Sequence, residues 1–131
     1  MFGSHLSIAG GLHNAILQAE EYGMDTAHLF AAGYDFRGRK YARFRKQLDS
    51  LLGLHRVKVL HLNDSKKDLG TRVDRHDHIG RGKIGRSGFL PFVRDEAFAA
   101  IPKILETPKG RRPDGQDWDS VNLRALRQML L

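Results

Sequence analysis

The sequence has no cysteine among its 131 residues, so neither disulfide bonds nor zinc–thiolate sites can form. Any metal site must therefore use His, Asp and Glu side chains. No apolar run approaches the roughly 18 residues of a membrane-spanning helix. The opening MFGSHLSIAGG also lacks the basic and then apolar pattern of a signal peptide. We therefore predict a cytoplasmic protein that does not contact a membrane.

Acidic residues are in the minority, with 15 Asp and Glu against 22 Lys and Arg and a formal net charge of +7. Such a charge favours a polyanionic partner such as nucleic acid, although a merely soluble basic protein would have the same composition. The length suits one modest domain with its own core. It is short for a complete (β/α)₈ barrel, which typically needs about 250 residues.

Residues 57–86, VKVLHLNDSKKDLGTRVDRHDHIGRGKIGR, contain the main concentration of chemically active side chains. An apolar run ends at His61, where a buried strand of an α/β protein would present a side chain to a site. Asp74 and His76 then follow at a spacing that points both side chains to one side of an extended segment. Carboxylate and imidazole together suit Zn²⁺, Mn²⁺ or Fe²⁺. The alternative is a solvated loop that is rich in polar residues and binds no metal.

The rest of the chain predicts an alternation of about four strands with four helices, which is the pattern of an α/β protein with parallel strands. Strands are expected over residues 2–8 and 101–107, and helices over 12–22, 37–52, 87–93 and 121–131. Pro91 is expected in the first turn of its helix. Asp119 or Ser120 should cap the last helix, against which Trp118 docks. The residues of that helix expected to face inward are Leu123, Leu126 and Leu130.

Three further polar residues can each be interpreted either as part of a functional site or as structural. Asp25 and His28 are either ligands brought inward by a strand that ends between them, or a helix cap and its neighbour. Glu106, which follows the last strand and precedes Pro108, is either a site carboxylate or a solvated strand end. His5, inside the first strand, is more typical of a structural histidine.

Three segments resemble the endonuclease IV family, which consists of zinc-dependent apurinic/apyrimidinic endonucleases with a (β/α)₈ barrel. HLNDSK followed by GTRVDRHDHIGRGKIG is similar to the seventh-strand segment of that family. MDTAHLFAAGYDF is similar to its sixth-strand segment, and GSHLSIAGGLHNAILQAEEYG to its first strand and helix. The resemblance implies that residues 1–131 form a single truncated domain, a partial TIM barrel in which strands two to five are absent at a junction between Gly23 and Met24.

The same resemblance implies the residues of the site. In the family, the counterparts of His28, Asp74 and His76 hold one zinc, and those of Asp25, His61 and Glu106 contribute to a second. Glu106 is also the implied catalytic residue, since it helps to orient the attacking hydroxide. The other ligands of the family's three-zinc cluster, including a bridging glutamate, belong to the missing strands. The residues expected to contact DNA phosphates, or otherwise to be ordinary solvated charges, are Arg75, Arg81, Lys83 and Arg86.

The implied activity is metal-dependent hydrolysis of the phosphodiester 5′ to an abasic site in DNA, as in base excision repair, with Zn²⁺ as the metal and Mn²⁺ as its alternative. Because ligands are missing, a truncated metal- or DNA-binding fragment with weak or no catalysis is the second interpretation. A sugar isomerase-like protein is the third, since related barrels use similar metal sites. Open strand edges also lead us to expect a homo-oligomer that closes the half-barrel.

Overall fold

The computed structural model describes residues 23–131, in which strands alternate with helices. The predicted first strand, its helix and His5 lie outside this range. In chain order the elements are β1 (Met24–Asp25), α1 (Thr26–Ala31), α2 (Tyr41–Leu51), β2 (Leu60–His61), β3 (Asp64–Ser65), β4 (His76–Asp77), α3 (Gly85–Arg94), β5 (Lys103–Ile104) and α4 (Trp118–Gln128). Short 3₁₀ helices lie at Gly38–Lys40, Leu54–Arg56 and Glu96–Phe98.

The central sheet is parallel, with β2 between β1 and β5. Met24 pairs with Leu60 and Asp25 with His61, and His61 pairs in turn with Ile104. Helices connect these strands, so the predicted α/β class and partial TIM-barrel architecture are confirmed, and the sheet formed by residues 23–131 does not close into a barrel. Parallel pairing brings the carboxyl ends of all three strands to the same edge.

A second, antiparallel pair of strands was not predicted. β3 and β4 pair through Asp64 with Asp77 and Ser65 with His76. The loop between them returns to the C-terminal end of α1, where the Gly70 N–H donates to the Phe30 carbonyl at 3.0 Å. This pairing holds the segment that contains Asp74 and His76 directly beyond the end of β2.

The core lies between the sheet and the helices and is rich in aromatic rings. Phe36 and Phe92 meet edge to face with their ring centroids 5.0 Å apart, and Phe44 packs against both. Such pairs contribute roughly 0.5–1.5 kcal/mol beyond the burial of their area. The rings join α2 to α3 and fix both helices against the strands. Among residues 23–131, none of the helices has the length and apolar character needed to cross a membrane.

Helix α2 agrees with the prediction, whereas α3 differs from it in the position of Pro91. The segment predicted over residues 37–52 forms a 3₁₀ turn followed by α2, and Gly53, at φ +93°, follows directly after the C-cap. Helix α3 begins at Gly85, so Pro91 lies in its interior, and the prediction of a first-turn proline was wrong. Gly85 starts the helix early because its N–H binds the buried Asp64 carboxylate.

The last strand and the last helix also differ from prediction. Only Lys103–Ile104 of residues 101–107 is a strand, because the Glu106 N–H donates to the Asn63 side chain at 2.7 Å instead of to a strand. Helix α4 starts at Trp118 and is capped by Asp117, not by Asp119 or Ser120.

The inward face of α4 was predicted only in part. Leu126 is buried as expected, but Leu123 and Leu130 are 37% and 62% exposed. Asn122 and Met129 are buried instead, so the packed stripe runs along positions 122, 126 and 129. The amide of Asn122 is satisfied there by hydrogen bonds, which allows a polar side chain to occupy the buried face.

Candidate metal centre

Three side chains converge at the carboxyl edge of the central sheet. Asp25 ends β1, His61 ends β2, and Glu106 lies shortly beyond β5. One ligand atom from each lies within 4.8 Å of the others, and His61 Nδ1 is 2.5 Å from Glu106 Oε1. This is the set that the resemblance assigned to one metal, and parallel register explains why residues so far apart in sequence meet.

A second group shares Asp25 and adds Asp74 and His76. Their ligand atoms also lie within 4.8 Å of one another. His76 Nε2 is 3.4 Å from Asp25 Oδ2 and 3.3 Å from Asp74 Oδ1. The predicted same-side orientation of Asp74 and His76 is therefore present. The two groups meet at Asp25, which is fully buried.

His28 adjoins the second group through Asp74, whose Oδ2 is 3.1 Å from His28 Nδ1. His28 is 4% exposed, and its Nε2 is buried without a hydrogen-bond partner within residues 23–131. Asp25 is the helix cap, since its Oδ1 accepts from the N–H groups of Ala27 and His28. Its Oδ2 faces His76, and its role as a metal ligand stays a prediction. The strand ends at Asp25 and the helix begins at once, which brings positions 25 and 28 to the same region.

Asn63 connects the two outer strands and was not singled out from the sequence. Its Nδ2 donates to Asp25 Oδ2 at 3.1 Å, and its Oδ1 accepts from the Glu106 N–H at 2.7 Å. The Thr26 hydroxyl donates to the Asn63 carbonyl at 2.8 Å. Asn63 is fully buried, so this single amide fixes a ligand at the end of β1 and another beyond β5. A polar residue directly after a buried strand was the available signal.

Asp64 organises the glycine-rich loop that follows the site. Its carboxylate accepts from the N–H groups of Ser65, Gly80 and Ile84 at 2.8 to 2.9 Å. Burial raises the pKa of Asp64, an effect that these backbone donors oppose. Gly82 passes so close that a Cβ there would lie 2.6 Å from Asp64 Oδ1. Each buried N–H left without an acceptor would cost about 1–3 kcal/mol, so the loop depends on this carboxylate.

The charges of the second group are strongly coupled. Burial raises the pKa of Asp25 to about 6 despite the nearby His76. Burial disfavours a charged His76, but Asp74 and Asp25 outweigh it and raise the pKa of His76 to about 9. The pKa of Asp74 falls below its ordinary value because hydrogen bonds from His28 and His76 outweigh its burial. His76 Nδ1 lies 2.9 Å from the Glu106 carbonyl, and Nε2 of the same ring faces the carboxylates of Asp25 and Asp74.

The basic residues predicted to contact DNA lie on the surface near this edge. Arg75, Arg81, Lys83 and Arg86 are all exposed, and none forms an ion pair with another residue of the described range. Arg81 extends over the ring of Trp118, with its guanidinium carbon 5.2 Å from the ring centroid. Trp118 also stacks on His78, with ring centroids 3.5 Å apart. It is the first residue of α4 and half-buried, so the prediction that it docks against this helix from outside was wrong.

Comparison with known proteins is consistent with this arrangement. A family model described as a xylose isomerase-like TIM barrel matches residues 21–129. A probable endonuclease 4 from Geobacter sulfurreducens is 50% identical over 107 residues, which cover 81% of this chain and 35% of that protein. A probable endonuclease 4 from Oleidesulfovibrio alaskensis is 41% identical over 132 residues, covering 98% of this chain and 44% of the relative.

Among solved structures, endonuclease IV from Thermus thermophilus is similar, with a TM-score of 0.76 and 36% identity. The match covers 95% of this chain and 45% of that one. The chain thus spans less than half the length of these relatives. The resemblance to endonuclease IV is confirmed, and this chain belongs to the xylose isomerase-like TIM-barrel family.

Proposed function

We propose that this chain is a metal-dependent hydrolase that cleaves the DNA phosphodiester 5′ to an abasic site and leaves a 3′-hydroxyl. The observation that carries the proposal is the convergence of two groups of His and carboxylate side chains on one sheet edge, with Asp25 common to both. Relatives named as endonucleases supply the reaction. The activity is a proposal because the chain covers only 35–44% of their length.

The residues present fit a Zn²⁺ ion, or Mn²⁺ as its alternative. Their donors are imidazole nitrogens and carboxylate oxygens, which both metals accept. The buried Nε2 of His28 lacks a partner within residues 23–131, and Nε2 of His76 faces two carboxylates, which is a position that suits a cation. The residues proposed as metal ligands are Asp25, His28, His61, Asp74, His76 and Glu106.

A bound metal would supply activation of water and neutralisation of phosphate charge. The protein's own part is to hold the ligands in place before the substrate arrives. Glu106 is the proposed catalytic residue. Its backbone N–H donates to Asn63 Oδ1, and its carboxylate contacts His61. The Glu106 side chain is 37% exposed, so a substrate can reach it from the solvent. A carboxylate in that position can orient the attacking water.

DNA binding is assigned to the exposed cations on the loop that Asp64 organises. Arg81, Lys83 and Arg86 extend from the segment whose backbone surrounds the Asp64 carboxylate, and Arg75 directly precedes the ligand His76. Arginine and lysine side chains contact phosphate oxygens and thereby fix the register of a duplex. These four residues would hold the DNA backbone beside the proposed metal ligands at the carboxyl edge of the central sheet.

A second candidate is a metal- or DNA-binding chain without catalysis. It is favoured by the short span of this chain relative to its relatives, because the resemblance assigns further ligands to strands that are missing. We also propose that residues 1–131 form one truncated domain and that a second copy closes the half-barrel. Molecular mass measured under native conditions at several protein concentrations tests the homo-oligomer.

The deciding experiment is strand scission of a duplex that contains one synthetic abasic site. Wild-type protein should cleave 5′ to that site, and a chelator should stop it. Glu106→Gln should abolish cleavage, because the carboxylate charge that holds a cation is lost. DNA binding should stay nearly unchanged, because it is assigned to other residues. Glu96→Gln is the matched control, since Glu96 is exposed in the 3₁₀ helix that precedes β5, whereas Glu106 follows that strand, and the change should leave cleavage intact.

Each outcome separates the two candidates. Cleavage that survives both chelator and Glu106→Gln would overturn the metal-dependent mechanism. Retained metal and DNA binding with no wild-type cleavage would instead support the non-catalytic candidate. Metal content measured after dialysis completes the comparison.

A further inference from the structure

His78 is close in sequence to the ligand His76 but is not one of the six proposed ligands. It follows β4 directly, two positions after His76. Its ring is parallel to the indole of Trp118, with 3.5 Å between ring centroids and 11° between the planes. Trp118 is the first residue of α4, so the imidazole is held against a fixed element. A side chain on a mobile loop would not be oriented in this way.

Asn122 determines which ring nitrogen of His78 carries the proton. Asn122 Oδ1 accepts from the Ile79 N–H at 3.0 Å, so its Nδ2 is turned toward His78 and Thr107. That Nδ2 lies 3.1 Å from His78 Nδ1 and 3.0 Å from Thr107 Oγ1. An amide nitrogen can only donate, and His78 Nδ1 must therefore accept. Asn122 is buried, and its hydrogen bonds hold the neutral imidazole with its proton on Nε2.

The Nε2–H of His78 remains available to a ligand. It forms no hydrogen bond with any residue from 23 to 131, and unlike Nε2 of His28 it is not buried. Stacking on Trp118 therefore orients the His78 ring, and Asn122 selects the tautomer with the proton on Nε2. The Nε2–H is the one donor of the ring that remains free to bind a ligand. An unused donor with this much support is typical of a binding position.

Arg81 occupies the same corner of the surface. The Arg81 N–H donates to the His78 carbonyl at 2.9 Å, which closes a turn and brings the two side chains to one indole. The guanidinium carbons of Arg81 and Arg112 lie 5.2 and 6.0 Å from the centroid of the Trp118 ring. Asp64 supports this turn by accepting from the Gly80 N–H.

The local charge favours an anion at this corner. Arg81 and Lys66 are the nearby cations, and Asp77 and Asp119 the nearby acids. Asp119 is already paired with Lys109 at 2.9 Å. Asp77 Oδ1 accepts from the backbone N–H of His78 at 2.8 Å. Because Lys109 pairs with Asp119, the two acids are outnumbered by the cations Arg81, Lys66 and Lys109, and Arg81 forms no ion pair within residues 23–131.

We propose that His78 is a DNA-binding residue that donates its Nε2–H, as a neutral imidazole, to a phosphodiester oxygen beside Arg81. The inference rests on the proposed function for the presence of DNA, and it adds a contact that carries no charge. A neutral donor displaces no counterion, whereas a cation does. The two kinds of contact are therefore distinguishable by their salt dependence.

The test uses the full chain and a fluorescently labelled DNA duplex, with affinity measured by anisotropy over a range of salt concentrations. His78→Ala should weaken binding about threefold to tenfold, with the slope of log affinity against log salt unchanged. Arg81→Gln should reduce that slope by about one. His55→Ala is the matched control, because His55 is exposed near the opposite end of β2.

A measurement on the wild type avoids dependence on any substitution. Nitrogen-15 NMR of the histidine rings should show His78 protonated at Nε2, and its Nε2 signal should shift when DNA is added. Wild-type-like affinity of His78→Ala would overturn the inference, as would a protonated Nδ1. A salt slope reduced by one in His78→Ala would make His78 a cationic contact and overturn the neutral one. Absence of DNA binding by the wild type even at low salt would overturn the proposed function as well.

Discussion

Residues 61–86 contain three of the six proposed metal ligands and all four proposed DNA contacts, but the two sets are supported in opposite ways. Asp25, His28 and His61 are at most 4% exposed, and each contacts another polar side chain of the site. Arg75, Lys83 and Arg86 are exposed and form no ion pair within residues 23–131. Buried polar groups must be paired to be tolerated, whereas solvated cations need only a backbone to carry them.

The loop that carries the exposed cations depends on the buried residue Asp64. Its buried carboxylate holds the N–H groups of Gly80, Ile84 and Gly85, so the exposed cations are displayed by a loop that is anchored inside. Single substitutions should therefore have large effects at the ligands and small, additive effects at the cations.

Removing a ligand should have the largest effect. We predict that His76→Ala lowers zinc affinity at least about 100-fold, beyond the roughly 10–100-fold typical of residues that only orient ligands. The reason is that His76 Nε2 lies between two carboxylates of the site. Elemental analysis after dialysis measures the retained metal, with His55→Ala as the control. Equal metal content in the two variants would contradict the assignment.

Removing the buried amide that supports the ligands should have the next largest effect. Asn63→Leu keeps the side-chain size but removes both hydrogen bonds, to Asp25 and to the Glu106 backbone. We expect zinc affinity to fall about 10–100-fold. Thr26→Ser, which retains the hydroxyl that binds the Asn63 carbonyl, should bind zinc normally. Competition with a chromogenic chelator measures both, and an unchanged affinity for Asn63→Leu would show that Asn63 only packs.

Changing the pH should have an intermediate and graded effect. Below a pKa of about 9 His76 carries a proton that a metal must displace, so apparent zinc affinity should rise about tenfold per pH unit between pH 6.5 and 8.5. Below about pH 6 protonation of Asp25 should steepen the loss. The same chelator competition, corrected for the chelator's own protonation, gives the slope. A flat profile over this range would show that metal binding displaces no proton from His76 there, which contradicts the prediction.

Removing one exposed cation should have the smallest effect. Arg86→Gln should weaken DNA binding a few-fold and reduce the salt slope by about one, because one phosphate contact is lost. The exposed Arg127 at the C-terminal end of α4 provides a control, Arg127→Gln, with the same change of charge. If both variants lose the same affinity, only net charge matters and Arg86 has no specific contact.

Sequence patterns alone were enough to predict the fold class and the location of the polar site. Strand–helix alternation predicted the α/β class, and the HLND and VDRH patterns predicted where polar side chains leave the strands. The spacing of Asp74 and His76 fixed their common direction, because side chains alternate along an extended segment. These features are local, and local geometry is what a sequence pattern encodes directly.

The sharing and support of the ligands could not be predicted from the sequence, because they depend on contacts between distant segments. Asp25 belongs to both groups because β4, paired outside the central sheet, carries His76 to the end of β1. Asn63, Asp64 and Asn122 gained their roles from partners 16 to 44 positions away. Pro91 and the start of α3 were mispredicted for the same reason, since the distant Asp64 carboxylate, not a local cap, begins that helix. Buried polar groups are satisfied by whichever donors the fold brings near, and sequence periodicity does not contain that information.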